Sequence, residues 1–128
     1  MNPQLVLAVA VGGAIGSVAR YLVAIGSGKA FGTSFPWGIL IINVTGSFLI
    51  GMFVGLFALR WNLPEPVRVF LTVGICGGYT TFSTFSLDAF YLMERGEAVA
   101  AIAYMVGSVV LSVGALVAAI HITRIFSN

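Results

Sequence analysis

The densest group of hydrogen-bonding side chains falls inside an apolar stretch, in the run Gly77-Gly78-Tyr79-Thr80-Thr81-Phe82-Ser83-Thr84-Phe85-Ser86. Hydroxyls and free backbone amides can replace the water around a small, strongly hydrated anion, and free carbonyls can do the same for a cation. Phe82 and Phe85 stand three positions apart and so share one helical face. Their ring edges carry the positive side of the aromatic quadrupole and can face an anion; the same pair also serves as ordinary packing. Asn43 lies between Ile42 and Val44, where an amide needs partners. It reads either as a bridge between helices or as a donor lining a pathway. Tyr104, Ser108 and Ser112 recur at i, i+4 and i+8, a polar stripe on one face that suits either a neutral hydrogen-bonding track or interhelical packing. No nucleophile–base pair, carboxylate pair or metal-ligand cluster accompanies these residues, so the sequence gives catalysis no support.

The elements that must position these groups follow from composition. The chain has 128 residues, of which 59% are hydrophobic and only 8% charged, against about 25% charged in a soluble domain. Such a chain cannot cover a globule with a water-compatible surface, and its mean hydropathy of +1.08 agrees. A soluble enzyme, a nucleic-acid binder and a disordered chain are excluded on that ground, and the net charge of +2 is too small and scattered for a phosphate-binding face. A membrane span takes about 20 apolar residues. The sequence therefore predicts an all-α, polytopic protein surrounded by lipid, one four-helix transmembrane domain over residues 1–128 with spans at 5–25, 37–59, 66–93 and 98–122. Gly26-Ser27-Gly28-Lys29 is expected to end the first span, and Pro36 to open the second, where its missing N–H costs nothing. Trp37 and Trp61 would lie about 36 Å apart along a helix, a spacing that suits the two interfaces. Cys76 stands alone, so no intrachain disulfide forms. The start Met1-Asn2-Pro3-Gln4 lacks the basic n-region of a signal peptide and reads as part of a retained first helix.

The third span carries the strongest signal. A continuous helix of about 28 residues would measure about 42 Å, more than the roughly 30 Å hydrocarbon core needs. Gly74, Gly77 and Gly78 each weaken it by about 1 kcal/mol relative to alanine, and Thr80 or Thr81 can cap a new start. The expectation is a helix broken near mid-membrane, its first half ending in carbonyls suited to a cation and its second beginning in N–H groups suited to an anion. A glycine-rich crossing between close helices is the alternative. Gly12 with Gly16, and Ser47 with Gly51 and Gly55, form further small-residue strips. Asp88 is the one acidic residue well inside an apolar segment, a functional candidate by default or a local cap. Arg20 reads as snorkelling from the end of the first helix or as holding a vestibule positive. With four spans, Arg60, Arg68 and Arg124 fall on the side of the termini, and Lys29 and Arg95, with Arg20 nearby, on the other. So even a balance lets copies insert both ways and predicts an antiparallel, dual-topology homodimer, unless an unseen partner accompanies a weak bias.

Taken together, these residues resemble the fluoride-channel family known as Fluc or CrcB. The resemblance covers nearly the whole chain: Gly-Ala-Ile-Gly-Ser-Val-Ala-Arg at 13–20, Asn43 in its apolar helix, the run from Gly77 to Ser86, and Tyr104, Ser108 and Ser112. It implies a homodimer with two antiparallel pores that pass fluoride passively out of the cytoplasm across a bacterial inner (plasma) membrane and exclude chloride. It implies that Phe82 and Phe85 line the fluoride path, that Asn43 is the pore amide, and that Tyr104, Ser108 and Ser112 are the polar track. It further implies a structural sodium ion (Na+) at the two-fold axis, held by backbone carbonyls at the positions of Gly77 and Thr80 from both subunits, and a structural or vestibular part for Arg20. Two residues depart from the pattern: Ile39 stands where some members have a hydroxyl, and Asp88 where glutamate is frequent. The rival readings are a proton-coupled small multidrug-type transporter, which needs a central acidic residue that the first span lacks, and a non-conducting scaffold subunit, which needs glycine strips but no hydroxyl stripe.

Overall fold

The computed structural model describes residues 1–59 and 62–126, and every regular element among them is helical. The side chain of Asn2 accepts a hydrogen bond from the Gln4 amide at 2.9 Å, and with Pro3 in the first turn it starts α1 (Pro3–Phe31). Acceptance of an orphan N–H by the residue before the first turn is what an N-cap supplies. The first helix does not stop at residue 25. It runs to Phe31 and ends where Gly32 takes φ 79° and donates to the Gly28 carbonyl. Gly26 and Gly28 do not terminate it, because a helix ends where the backbone turns out of it, and that turn falls at Gly32. Ser27 is buried there, and a Cβ on Gly38 would sit 3.3 Å from the Ser27 Cβ, so small residues in this stretch serve helix packing. Arg20 consequently stands near the middle of α1 rather than at its end.

The second helix, α2, is Trp37–Leu59. Arg60 and Trp61 lie outside the described residues, and with them the pairing of Trp37 with Trp61 and the part of Arg60 in the charge balance. The third element comes in two pieces. Its first is a continuous rod: α3 (Glu65–Val69), a π-helical segment Phe70–Cys76 and α4 (Gly77–Tyr79). Thr80 is then extended at φ −80°, ψ 157°, and the second piece, α5 (Ser83–Glu94), follows. Gly96, at φ 79°, makes the turn into α6 (Ala98–Phe126), which continues past residue 122. Among the described residues three helices, α1, α2 and α6, are long and apolar enough to cross a membrane.

Two backbone-close packings organise the bundle. Helix α2 lies on α6, where a Cβ on Gly51 would fall 2.6 Å from the Leu116 carbonyl oxygen and one on Gly55 would meet Thr123. Helix α1 lies along the rod, where a Cβ on Gly12 would fall 2.7 Å from the Phe70 carbonyl oxygen and one on Gly78 would fall 2.6 Å from that of Gly13. Lipid tails are as apolar as leucine, so contacts of this kind, not burial from water, hold such helices together. The buried cluster of Ile39, Ile42, Phe85, Ala89, Leu92, Ala101 and Tyr104 joins α2, α5 and α6. Gly12→Val is therefore expected to force α1 off the rod and to destabilise the protein by about 3 kcal/mol. Gly26→Ala, exposed in mid-helix with nothing within 4 Å, should stabilise it by up to about 1 kcal/mol. Thermal unfolding in detergent measures both signs.

Candidate functional site at the interrupted element

The chain between α4 and α5 is held by side chains. Asn43 on α2 holds both backbone polar groups of Thr81: its Oδ1 accepts from the Thr81 amide at 2.9 Å, and its Nδ2 donates to the Thr81 carbonyl at 3.0 Å. Of its two sequence readings, the geometry shows the bridge, and it leaves one Nδ2 proton uncommitted to Thr81. The Thr80 amide and its hydroxyl both donate to the Cys76 carbonyl, each at 3.0 Å. Thr81 stands one residue before Phe82, the N-cap of α5, and its Oγ1 accepts from the first-turn amide of Thr84 at 3.2 Å. In a regular helix the Thr81 amide would serve the Gly77 carbonyl and the Thr84 amide that of Thr80. Both amides are diverted to side-chain oxygens, so neither carbonyl receives that donor.

Neighbouring elements brace the gap. Thr45 on α2 donates to the Ile41 carbonyl at 2.7 Å and meets the Tyr79 hydroxyl at 2.9 Å. A Cβ on Gly46 would run into Thr80 and approach the Tyr79 ring at 3.0 Å. Arg20 does not snorkel from a helix end. From mid-helix its Nε donates to the Gly78 carbonyl at 3.2 Å, placing a cation at the C-terminal, dipole-negative end of the rod.

An open groove of about 370 Å³ runs past the gap. It brings together seven of the residues singled out from the sequence: Asn43, Gly77, Thr80, Phe82, Phe85, Ser108 and Ser112. None of its lining residues is charged. The hydroxyl oxygens of Ser108 and Ser112 are buried with no hydrogen-bond partner, although buried polar atoms are as a rule paired. Phe82 and Phe85 lie with ring centroids 5.5 Å apart, but they are not equivalent: Phe82 is 78% exposed and Phe85 9%.

Tyr104 does not line this groove. It is 1% exposed, lies beyond Phe85 at a centroid distance of 5.1 Å, and donates to Asp88 Oδ2 at 3.3 Å. The hydroxyl row is thus divided, two serines in the groove and the tyrosine behind a phenylalanine. Asp88 and Arg20 also stand off the groove, and Ile39 is packed into the cluster around Tyr104. The sequence did not single out Thr81 as the residue whose backbone is gripped. The available signal was a mid-span asparagine, which needs a two-sided partner, together with a Thr-Thr pair just after two glycines.

Chemically, the groove sets carbonyls lacking their helical donors beside hydroxyls, an amide proton and ring edges. Such a lining can strip water from a small ion, and without a fixed charge it can also release one. Among the described residues no cluster of three or more His, Cys, Asp or Glu occurs.

Comparison with known proteins places the chain in clear company. The family model described as CrcB-like protein, Camphor Resistance (CrcB), matches residues 7–120. The chain is 72% identical over 125 residues to a protein of Nitrobacter hamburgensis named Fluoride-specific ion channel FluC 1, covering 98% of this chain and 99% of that one. It is equally 72% identical, with the same coverage, to the Fluoride-specific ion channel FluC of Nitrobacter winogradskyi. With the protein of the same name from Rhodospirillum centenum it shares 50% over 121 residues, 94% of this chain and 96% of the other.

Proposed function

The chain belongs to the CrcB family, a family of multi-pass membrane ion channels and not of enzymes, and from that premise we propose that it is a fluoride-selective channel. Fluoride crosses passively, out of the cytoplasm and across the plasma membrane of a bacterium. Two copies inserted in opposite directions form an antiparallel homodimer with two pores, and the interruption at residues 80–82 lies near the middle of the bilayer. The observation that carries the reading is the uncharged groove, with the unpartnered Ser108 and Ser112 hydroxyls beside the diverted backbone. The dimer is supported by two facts. Irregular backbone at membrane depth must be covered by protein or water, and Phe82 at the groove's open edge is 78% exposed in one copy.

Fluoride is a compact, strong acceptor, so dehydrating it takes real donors. Ser108 and Ser112 offer O–H groups, Asn43 its remaining Nδ2 proton, and Phe82 and Phe85 their ring edges. Chloride accepts more weakly and is larger, so the same donors do not offset the loss of its water. The Gly77 and Thr80 carbonyls fit a sodium ion, because hard oxygen ligands suit it and their own helical donors are engaged elsewhere. Bound there by both copies, such an ion would supply a fixed positive charge and a structural tie. The residues themselves hold those carbonyls in place: Asn43 through Thr81, and Thr80 through Cys76.

Purified protein in liposomes, followed with a fluoride electrode, tests the proposal. Fast fluoride efflux is expected, with chloride retained and no response to a pH gradient. Phe82→Ile, which removes the ring at the open edge, should slow efflux at least about tenfold. A proton-coupled multidrug transporter would instead trap fluoride and exchange a cationic drug for protons, an activity expected to need Asp88. That residue is placed off the groove and in contact with Tyr104.

A further inference from the structure

The rod beside α1 changes its winding just before the groove. Over Phe70–Cys76 it is a π-helix, and at the end of that segment the Gly77 amide points back to the Thr72 carbonyl, five residues earlier, as well as to that of Gly74. A π turn spends more residues than an α turn. Helix α1 is regular along the same length, and the two meet backbone to backbone. A Cβ on Gly12 would fall 2.7 Å from the Phe70 carbonyl oxygen, and one on Gly16 would run into the Ile75 carbonyl oxygen and lie 2.8 Å from the Tyr79 amide nitrogen. Gly12 and Gly16 are four positions apart, whereas Phe70 and Ile75 are five apart. The rod thus fits one residue more than α1 into the same stretch of contact, and the wide turn takes it up. Val73, within that turn, is 56% exposed.

The groove follows directly. Cys76 and Gly77 both line it, and the Cys76 carbonyl accepts from the amide and the hydroxyl of Thr80. The Tyr79 hydroxyl meets Thr45 across on α2. Wound as an α-helix, the same residues would turn everything after the segment by about 100°, since 3.6 residues make a turn. Cys76 and Gly77 would then leave the groove, and Tyr79 would leave Thr45.

We propose that the π turn is a positioning element of the ion pathway: it absorbs one surplus residue, so that the rod end keeps Cys76 and Gly77 on the groove while Gly12 and Gly16 hold its register. The inference rests on the channel reading above.

An asymmetry between losing a residue and gaining one tests this on the full chain. In a regular helix either change rotates all that follows by about 100°. In the rod, deleting Val73 lets the turn close to α-helix with both ends in place, while an alanine inserted after Val73 adds a second surplus residue. Fluoride efflux from liposomes should stay within about threefold for the deletion and fall at least about a hundredfold for the insertion. The thermal midpoint in detergent should stay within about 3 °C for the deletion and drop by at least about 8 °C for the insertion. Deleting Val106, which is 57% exposed but lies in the regular α6 two residues before Ser108, should cost as much as the insertion. The proposal is overturned if the two deletions have the same effect on efflux or on folding, or if the insertion is tolerated. If the unsubstituted protein passes no fluoride, the channel reading fails by itself, and the midpoints still decide whether the turn carries a surplus residue.

Discussion

Asn43→Ala is expected to slow fluoride efflux by about a hundredfold. The asparagine bonds both the N–H and the carbonyl of Thr81, and alanine leaves the two orphaned. Each unmade bond at a buried group costs about 1–3 kcal/mol, and lipid offers no water as a replacement. The chain escapes that cost by letting residues 80–82 wind into the helix, which returns the Thr81 amide to the Gly77 carbonyl. Either outcome dismantles the site: the gap is unbraced, or the Gly77 oxygen is consumed. At about 1.4 kcal/mol per decade, the hundredfold figure corresponds to about 2.8 kcal/mol, in the lower part of the roughly 2–6 kcal/mol that two such groups can cost. Asn43→Asp keeps the acceptor for the Thr81 amide and loses the donor to its carbonyl, so its efflux should fall between the two. Electrode-recorded efflux at matched protein density, with the oligomeric state checked in detergent, measures the series.

Ser108→Ala combined with Ser112→Ala is expected to have opposite effects on stability and transport. Both hydroxyl oxygens are buried and unpartnered, a condition that costs about 1–3 kcal/mol per group. Removing them should raise the thermal midpoint. The same change deletes two donors that fluoride needs in place of water, and efflux should drop about tenfold for each. A structural role for the serines predicts the reverse stability effect, a fall on substitution. Groups kept at the expense of stability are the expected mark of a working site. Thermal unfolding and fluoride efflux on the same preparations give both signs.

The sequence makes the helical class and membrane setting legible, because ten charges in 128 residues leave few other ways to fold. Most of the groove was legible too: the hydroxyl run after two glycines and the mid-span Asn43 mark residues that the fold brings to one place. Spacing along a helix shows which face a residue shares, but not what covers it. Phe82 and Phe85 share a face, yet one is 78% exposed and the other 9%, because the cluster around Tyr104 closes over only the second. Tyr104 shares a stripe with Ser108 and Ser112 but is sealed off by Phe85 and by Phe35, which comes from a loop with no periodic pattern to read. Arg20 was misplaced in depth because Gly26 and Gly28 looked like a helix end, while the helix runs on to Gly32 and the close packing in that stretch is between Ser27 and Gly38, which meet across two helices.

The central claim is that this uncharged groove passes fluoride and little else. Current through the reconstituted protein in a planar bilayer tests it most directly, with a tenfold fluoride gradient and equal chloride on both sides. A fluoride-selective path reverses near the fluoride equilibrium potential, about 59 mV from zero. Reversal near zero, with current carried by chloride, would contradict it.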